Sequence, residues 1–84
     1  MSHFRLTGRQ FFLTYPQCPI SKELAITILT DISPVVAYVA AEEKHEDGSP
    51  HLHIYLKFER KKNFKSPKCF DLEYEGITYH GNYQ

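Results

Sequence analysis

The stretch "VVAYVAAEEKHEDGSPHLHIYLKFE", residues 35–59, decides how this chain folds. Two runs of β-formers flank Asp47-Gly48, a strong turn signal, so the stretch predicts an antiparallel hairpin. A symmetrical loop sets Glu43 opposite His51, Ala41 opposite His53 and Val39 opposite Tyr55. In that register Val36, Tyr38 and Ala40 meet Phe58, Leu56 and Ile54 on one apolar face. The opposite face carries Ala37, Val39, Ala41 and Glu43 beside His51, His53, Tyr55 and Lys57. Because side chains alternate with period two, a slip of one residue would mix the faces, so the pattern specifies its own pairing.

Outward from the hairpin, "QFFLTY" (10–15) reads as a third strand, ended by Pro16. Ser21 is a candidate N-cap for "KELAITILT", where Ile20, Leu24 and Ile28, with Ala25 and Leu29, form one helical stripe. "FDLEYEGITYHGNYQ" (70–84) alternates as a second hairpin turning at Glu75-Gly76, and the strand-like pattern runs up to Gln84. Strand, helix, two strands and a hairpin predict an α+β architecture, an antiparallel sheet with helix on one face and the other face open.

A chain of 84 residues holds one domain, and 42% hydrophobic residues with six Phe and six Tyr suffice for one core. No apolar run approaches the roughly 20 residues of a membrane span, so a membrane role is not expected. Cys18 and Cys69 lack metal-type spacing and are too few for a disulfide scaffold, which suggests a reducing compartment. Ten basic and ten acidic residues cancel, yet six of the basic ones fall between Lys57 and Lys68. Lys57, Arg60, Lys61, Lys62, Lys65 and Lys68 thus predict a local basic surface on a neutral protein. Phe58 and Phe64 lie among these cations, and cations with stacking aromatics are what single-stranded nucleic acid binding uses.

The open face carries the chemistry. His51 and His53 sit one strand repeat apart, roughly 6.5–7 Å between Cβ atoms, with Glu43 about 5 Å across the strand pair. Imidazoles of that reach can tilt onto one cation, and Ala41 leaves room beside His53. Two nitrogens and one carboxylate oxygen would leave coordination positions open, as reactive metal sites require. His-x-His alone is a weak signal, since exposed strands carry such pairs by chance; the glutamate in register strengthens it. His45, in the loop, reads as a solvated residue, and Tyr55 as a base-stacking or an ordinary strand tyrosine.

"FLTYPQC" (12–18) followed by "HLHIYLKF" (51–58) resembles the first two motifs of the replication initiator proteins of geminiviruses and genomoviruses, which are HUH endonucleases. "EEKHEDGSPHLH" and "CFDLEYEGITYHGNYQ" match that family's hairpin and the segment after it, in order and over nearly the whole chain. The resemblance implies a five-stranded antiparallel sheet with flanking helices, of ferredoxin-like or RRM-like type. It implies that Glu43, His51 and His53 bind Mn²⁺ or Mg²⁺, and that Phe12, Thr14 and Tyr15 of the first motif contribute to structure and DNA recognition. Tyr55 and the basic residues Lys57, Arg60, Lys61, Lys62, Lys65 and Lys68 join the expected DNA contacts.

The activity implied is nicking of single-stranded DNA at a viral origin, to start rolling-circle replication. The partners implied are origin DNA and host replication machinery in the host nucleus, with oligomers open to the full-length protein. The family's nucleophile is the tyrosine of a Tyr-x-x-Lys motif, and none of the six tyrosines here has a lysine three positions later. The expectation is therefore that the nucleophile, and the end of the fold, lie beyond Gln84. Two alternatives stay open: a non-enzymatic single-strand binding module with an RRM-like sheet, and a metal-dependent hydrolase using water.

Overall fold

The computed structural model describes residues 4–84. Its elements run β1 (Leu6–Pro16), α1 (Lys22–Thr30), β2 (Val35–Lys44), β3 (Pro50–Phe64), β4 (Leu72–Tyr74), β5 (Ile77–Tyr79) and β6 (Asn82–Tyr83). β2, β3, β1 and β6 form one antiparallel sheet in that order, and β4 with β5 forms a separate two-stranded ribbon. The α+β arrangement is the expected one; the strands expected in a single sheet are divided between these two. α1 is the single helix among the described residues.

Alternation explains the core. Phe11, Leu13 and Tyr15 of β1 and Leu52, Ile54, Leu56 and Phe58 of β3 point to one face and are buried. Ala25, Ile26 and Leu29 of α1 close over them, joined by Ile20, Phe70 and Leu72. The helix starts where the sequence indicates: Ser21 Oγ accepts the Leu24 N–H at 3.2 Å, satisfying an otherwise unpaired first-turn donor. Leu24 and Ile28 pack at the margin of the core, while Ile26 takes a place in it.

The β2–β3 register is the one predicted, with Glu43 opposite His51, Ala41 opposite His53 and Val39 opposite Tyr55. It departs at the start of β2. A bulge between Val35 and Ala37 makes Val36 an extra residue, so Val35, not Val36, faces Phe58. Glu59 N–H donates to the Pro34 carbonyl at 2.9 Å and holds that shift in place. Tyr38 lies on the expected face but is 55% exposed, because β2 is the sheet's edge and α1 covers its neighbours. A gap of about 370 Å³, bordered by Ile26, Thr27, Tyr38 and Ala40, is left between helix and edge.

Two further expectations are corrected. Phe58 and Phe64 do not stand among the cations as stacking residues. Phe58 is buried and Phe64 packs against the core, in a cluster with Phe11 and Phe70 whose ring centroids are 4.8–6.4 Å apart. Alternation turns those rings inward and leaves the charges outside. Tyr15, expected among the DNA contacts, is fully buried, and its hydroxyl donates to the Phe70 carbonyl at 2.6 Å. It shares the parity of Phe11 and Leu13, so it faces the core.

Candidate functional site

The open face is built in rows by strand register. β1 pairs Thr14 with His53, Phe12 with Tyr55 and Gln10 with Lys57, while β2 supplies Ala41, Val39 and Ala37 on the other side. One row is therefore Thr14, His53, Ala41; the next is Phe12, Tyr55, Val39; beyond it lie Gln10, Lys57 and Ala37. On the near side of His53 stand His51 and Glu43, next to the hairpin loop.

Glu43 and His53 meet: Oε2 and Nε2 are 3.4 Å apart, both partly exposed. His51 stands off. Its ring is nearly parallel to that of His53 with centroids 6.5 Å apart, so the expected mutual tilt is not formed. Instead His51 stacks on His45, centroids 3.4 Å apart and planes at 34°. His45 is an exposed loop residue, as expected, and in addition its ring packs against that of His51. The parity that puts Glu43 on the open face puts His45 there too, two residues on, and was the available signal.

The loop fixes this stack. His45 N–H donates to the Ser49 carbonyl and Gly48 N–H to the His45 carbonyl, at 3.0 and 2.8 Å. Gly48 has φ +84°, a conformation that glycine adopts without strain. Asp47 Oδ1 accepts from both the backbone N–H and the hydroxyl of Ser49. The Ser49 N–H, then its hydroxyl, hold the Asp47 carboxyl below its usual pKa.

Among the described residues no three His, Cys, Asp or Glu side chains converge within reach of one ion. The donor set nonetheless suits a divalent cation. Two donors 3.4 Å apart fit one ion at about 2.1 Å from each, with about 108° between them. Glu43 and His53 already have that separation, and His51 lies two residues from His53 on the same strand, opposite Glu43.

The second row is apolar. Phe12 and Tyr55 lie with ring centroids 5.3 Å apart, and Tyr55 donates its hydroxyl to Gln10 Oε1 at 3.1 Å. Phe12 is 57% exposed and Val39 66%, an unusual outlay of apolar surface on so small a chain. These residues border a shallow depression of about 220 Å³ that reaches His53. Gln10 and Val39 are parts of this surface that motif reading did not single out.

The basic residues divide. Lys57 is on the open face, about 13 Å along β3 from His53. Arg60 and Lys61 lie in an irregularity where β3 loops out opposite Arg9, whose Nε donates to the Phe58 carbonyl at 3.2 Å. Lys62 pairs with Gly8 beyond it, and Lys65 and Lys68 lie on the connection to β4. Lys57 thus shares the face of the histidine rows, and the other five follow it at the far end of β3 and on the connection after it.

The C-terminal elements make a separate polar cluster. Asp71 Oδ1 is 2.6 Å from His80 Nδ1 and accepts the Tyr83 hydroxyl at 2.7 Å. It ties the end of the chain to the turn before β4. Burial raises the phenol pKa of Tyr83 and, further, that of Tyr15.

The family description "Geminivirus Rep catalytic domain" matches residues 4–84, almost the whole chain. The chain belongs to that family. It is 41% identical to the replication-associated protein of Cabbage leaf curl virus (isolate Jamaica) over 88 residues, 96% of this chain and 25% of that protein. It is 40% identical to replication-associated protein A of Tobacco yellow dwarf virus (strain Australia) over 73 residues, 83% of this chain and 25% of that protein. The chain thus spans about a quarter of the length of these relatives, and the histidine rows of its open face lie within the matched region.

Proposed function

We propose that this domain binds a divalent cation and single-stranded origin DNA on its open face, as the origin-nicking part of a viral rolling-circle replication initiator. The observation that carries the reading is the pairing of Glu43 with His53 at 3.4 Å, one strand step from the exposed Phe12–Tyr55 row, in a chain of the Rep catalytic family. Glu43, His51 and His53 would hold Mn²⁺ or Mg²⁺, which supplies positive charge to a scissile phosphate when bound. Phe12 and Tyr55 offer flat faces to unstacked bases, and Thr14 a hydroxyl beside them. Lys57 holds backbone phosphate at the edge of the face, while Arg60, Lys61, Lys62, Lys65 and Lys68 attract the strand from the far end of β3 and the connection after it.

The nucleophile is a tyrosine supplied from outside these 84 residues. Its oxygen bonds to phosphorus as the bond from phosphorus to the 3′ oxygen breaks, and the phenolic proton ends on that oxygen. The products are a 5′-phosphotyrosine link and a free 3′-hydroxyl that primes synthesis. The setting is the host nucleus, with host replication proteins as partners of the longer protein.

The exposed Phe12–Tyr55 row favours one second reading, a non-enzymatic single-strand binding module. Titration with Mn²⁺ and an origin-like oligonucleotide, for the parent and a His51→Ala/His53→Ala variant, separates the two. The nickase reading expects Mn²⁺ binding by the parent and none by the variant, with no covalent DNA adduct on a denaturing gel from this chain. DNA binding by both proteins with no Mn²⁺ binding by either would leave the module. An adduct would overturn the placement of the nucleophile.

A further inference from the structure

We propose that His45 is a positioning residue for the cation site, holding His51 back from the Glu43–His53 pair until a cation draws it in. The inference rests on the cation-binding reading above. Two imidazoles sharing one ion at 90–110° have ring centroids about 4.5–5.2 Å apart, given metal–nitrogen distances near 2.1 Å. His51 and His53 are 6.5 Å apart, so His51 has to travel about 1–2 Å to become a ligand. That movement takes it off His45, whose ring lies 3.4 Å from its own.

The backbone that carries His45 is anchored. Its N–H and carbonyl are both engaged across the loop, by Ser49 and Gly48, and Asp47 ties the loop again through Ser49. The His51 ring thus packs, tilted, against a ring carried by a braced turn, and cation uptake works against that contact. The consequence is a site with weakened affinity, whose cation exchanges readily and whose third ligand arrives last.

The test compares the parent with His45→Ala, which removes the stacking ring, and His45→Phe, which keeps a ring without nitrogen donors. Mn²⁺ affinity is read from the free-ion EPR signal, and the His51 ring resonances are followed by NMR in the metal-free proteins. His45→Ala is expected to move the His51 resonances and to bind Mn²⁺ about two- to tenfold more tightly, the range an aromatic pair provides. His45→Phe is expected to restore the parent's affinity. Weaker binding in both variants would make His45 a ligand and overturn the proposal, as would equal affinity in all three proteins. His53→Ala keeps the two readings apart. If it abolishes Mn²⁺ binding while His45→Ala changes nothing, the cation site stands and only the role of His45 falls. If neither the parent nor His45→Ala binds Mn²⁺, both fall.

Discussion

Tyr15→Phe separates structure from recognition within "FLTYPQC". The hydroxyl donates to the Phe70 carbonyl at 2.6 Å from a side chain with no exposed surface. Phenylalanine keeps the ring packed against that of Tyr83, centroids 5.6 Å apart, and removes the hydroxyl. The carbonyl then loses this partner in a place water does not reach, a loss of about 1–3 kcal/mol. Domains of this size lose about 4–8 °C in Tm per kcal/mol, so a central value of about 2 kcal/mol lowers Tm by about 8–16 °C.

The second half of the expectation concerns DNA. Tyr15 points away from the open face, so affinity for an origin-like oligonucleotide, measured by fluorescence anisotropy well below the variant's Tm, should match the parent within about twofold, far less than the loss of a stacking contact. Thermal unfolding by circular dichroism supplies the stability. A variant with the parent's Tm and tenfold weaker DNA binding would refute the assignment of Tyr15 to the core. A fall in both, scaling together below the transition, would show that the Phe70 connection also supports the DNA surface.

Phe12→Ala and Tyr55→Ala are expected to do the opposite, each weakening single-strand binding by about 1–3 kcal/mol per stacked base while Mn²⁺ affinity by EPR stays unchanged; unaltered DNA binding in both would remove the stacking row. Gly81→Ala should strip β6 from β1, because a Cβ there would run into the Thr14 carbonyl oxygen. Amide exchange at Phe12, whose N–H donates to the Gln84 carbonyl, should quicken, and an unchanged rate would contradict this. At alkaline pH the fold should weaken, since burial raises the Cys69 thiol from 9.0 to about 11 and pushes the Tyr15 and Tyr83 phenols above 10.0. Groups whose folded pKa is raised stabilise fully below the unfolded value and lose this as pH rises through the folded one, so Tm should hold to about pH 8.5 and fall above pH 9. A level Tm from pH 8 to 11 would refute it.

The hairpin was legible because two signals agree: alternation puts Leu52, Ile54 and Leu56 inside and His51, His53 and Tyr55 outside, and the Asp47-Gly48 turn sets which residues pair. Where the reading departed from the structure, parity had been set aside for something weaker. Tyr15 was assigned by its motif although it shares the face of Phe11 and Leu13, and Phe58, which the hairpin register had already turned inward, was also read as a stacking residue from its charged neighbours. The bulge at Val36 was beyond reach by parity alone, since the backbone pairing of Pro34 with Glu59 that fixes it leaves no mark in the hydrophobic pattern.

The same rule explains why an ion site and a stacking row stand side by side. Residues two apart on β3 share a face at successive steps, so His51, His53, Tyr55 and Lys57 present donor, donor, ring and cation in order. β1 and β2 can only add to rows already set, with Thr14 and Ala41 at one step and Phe12 and Val39 at the next. A shift of β3 by a single residue would bury the histidines and expose Leu52 and Ile54, and the same shift of β1 or β2 would turn that strand's own side chains to the wrong face. The cost of burying those polar groups and exposing that apolar surface works against the slip, so the burial that holds the fold also holds the site in register.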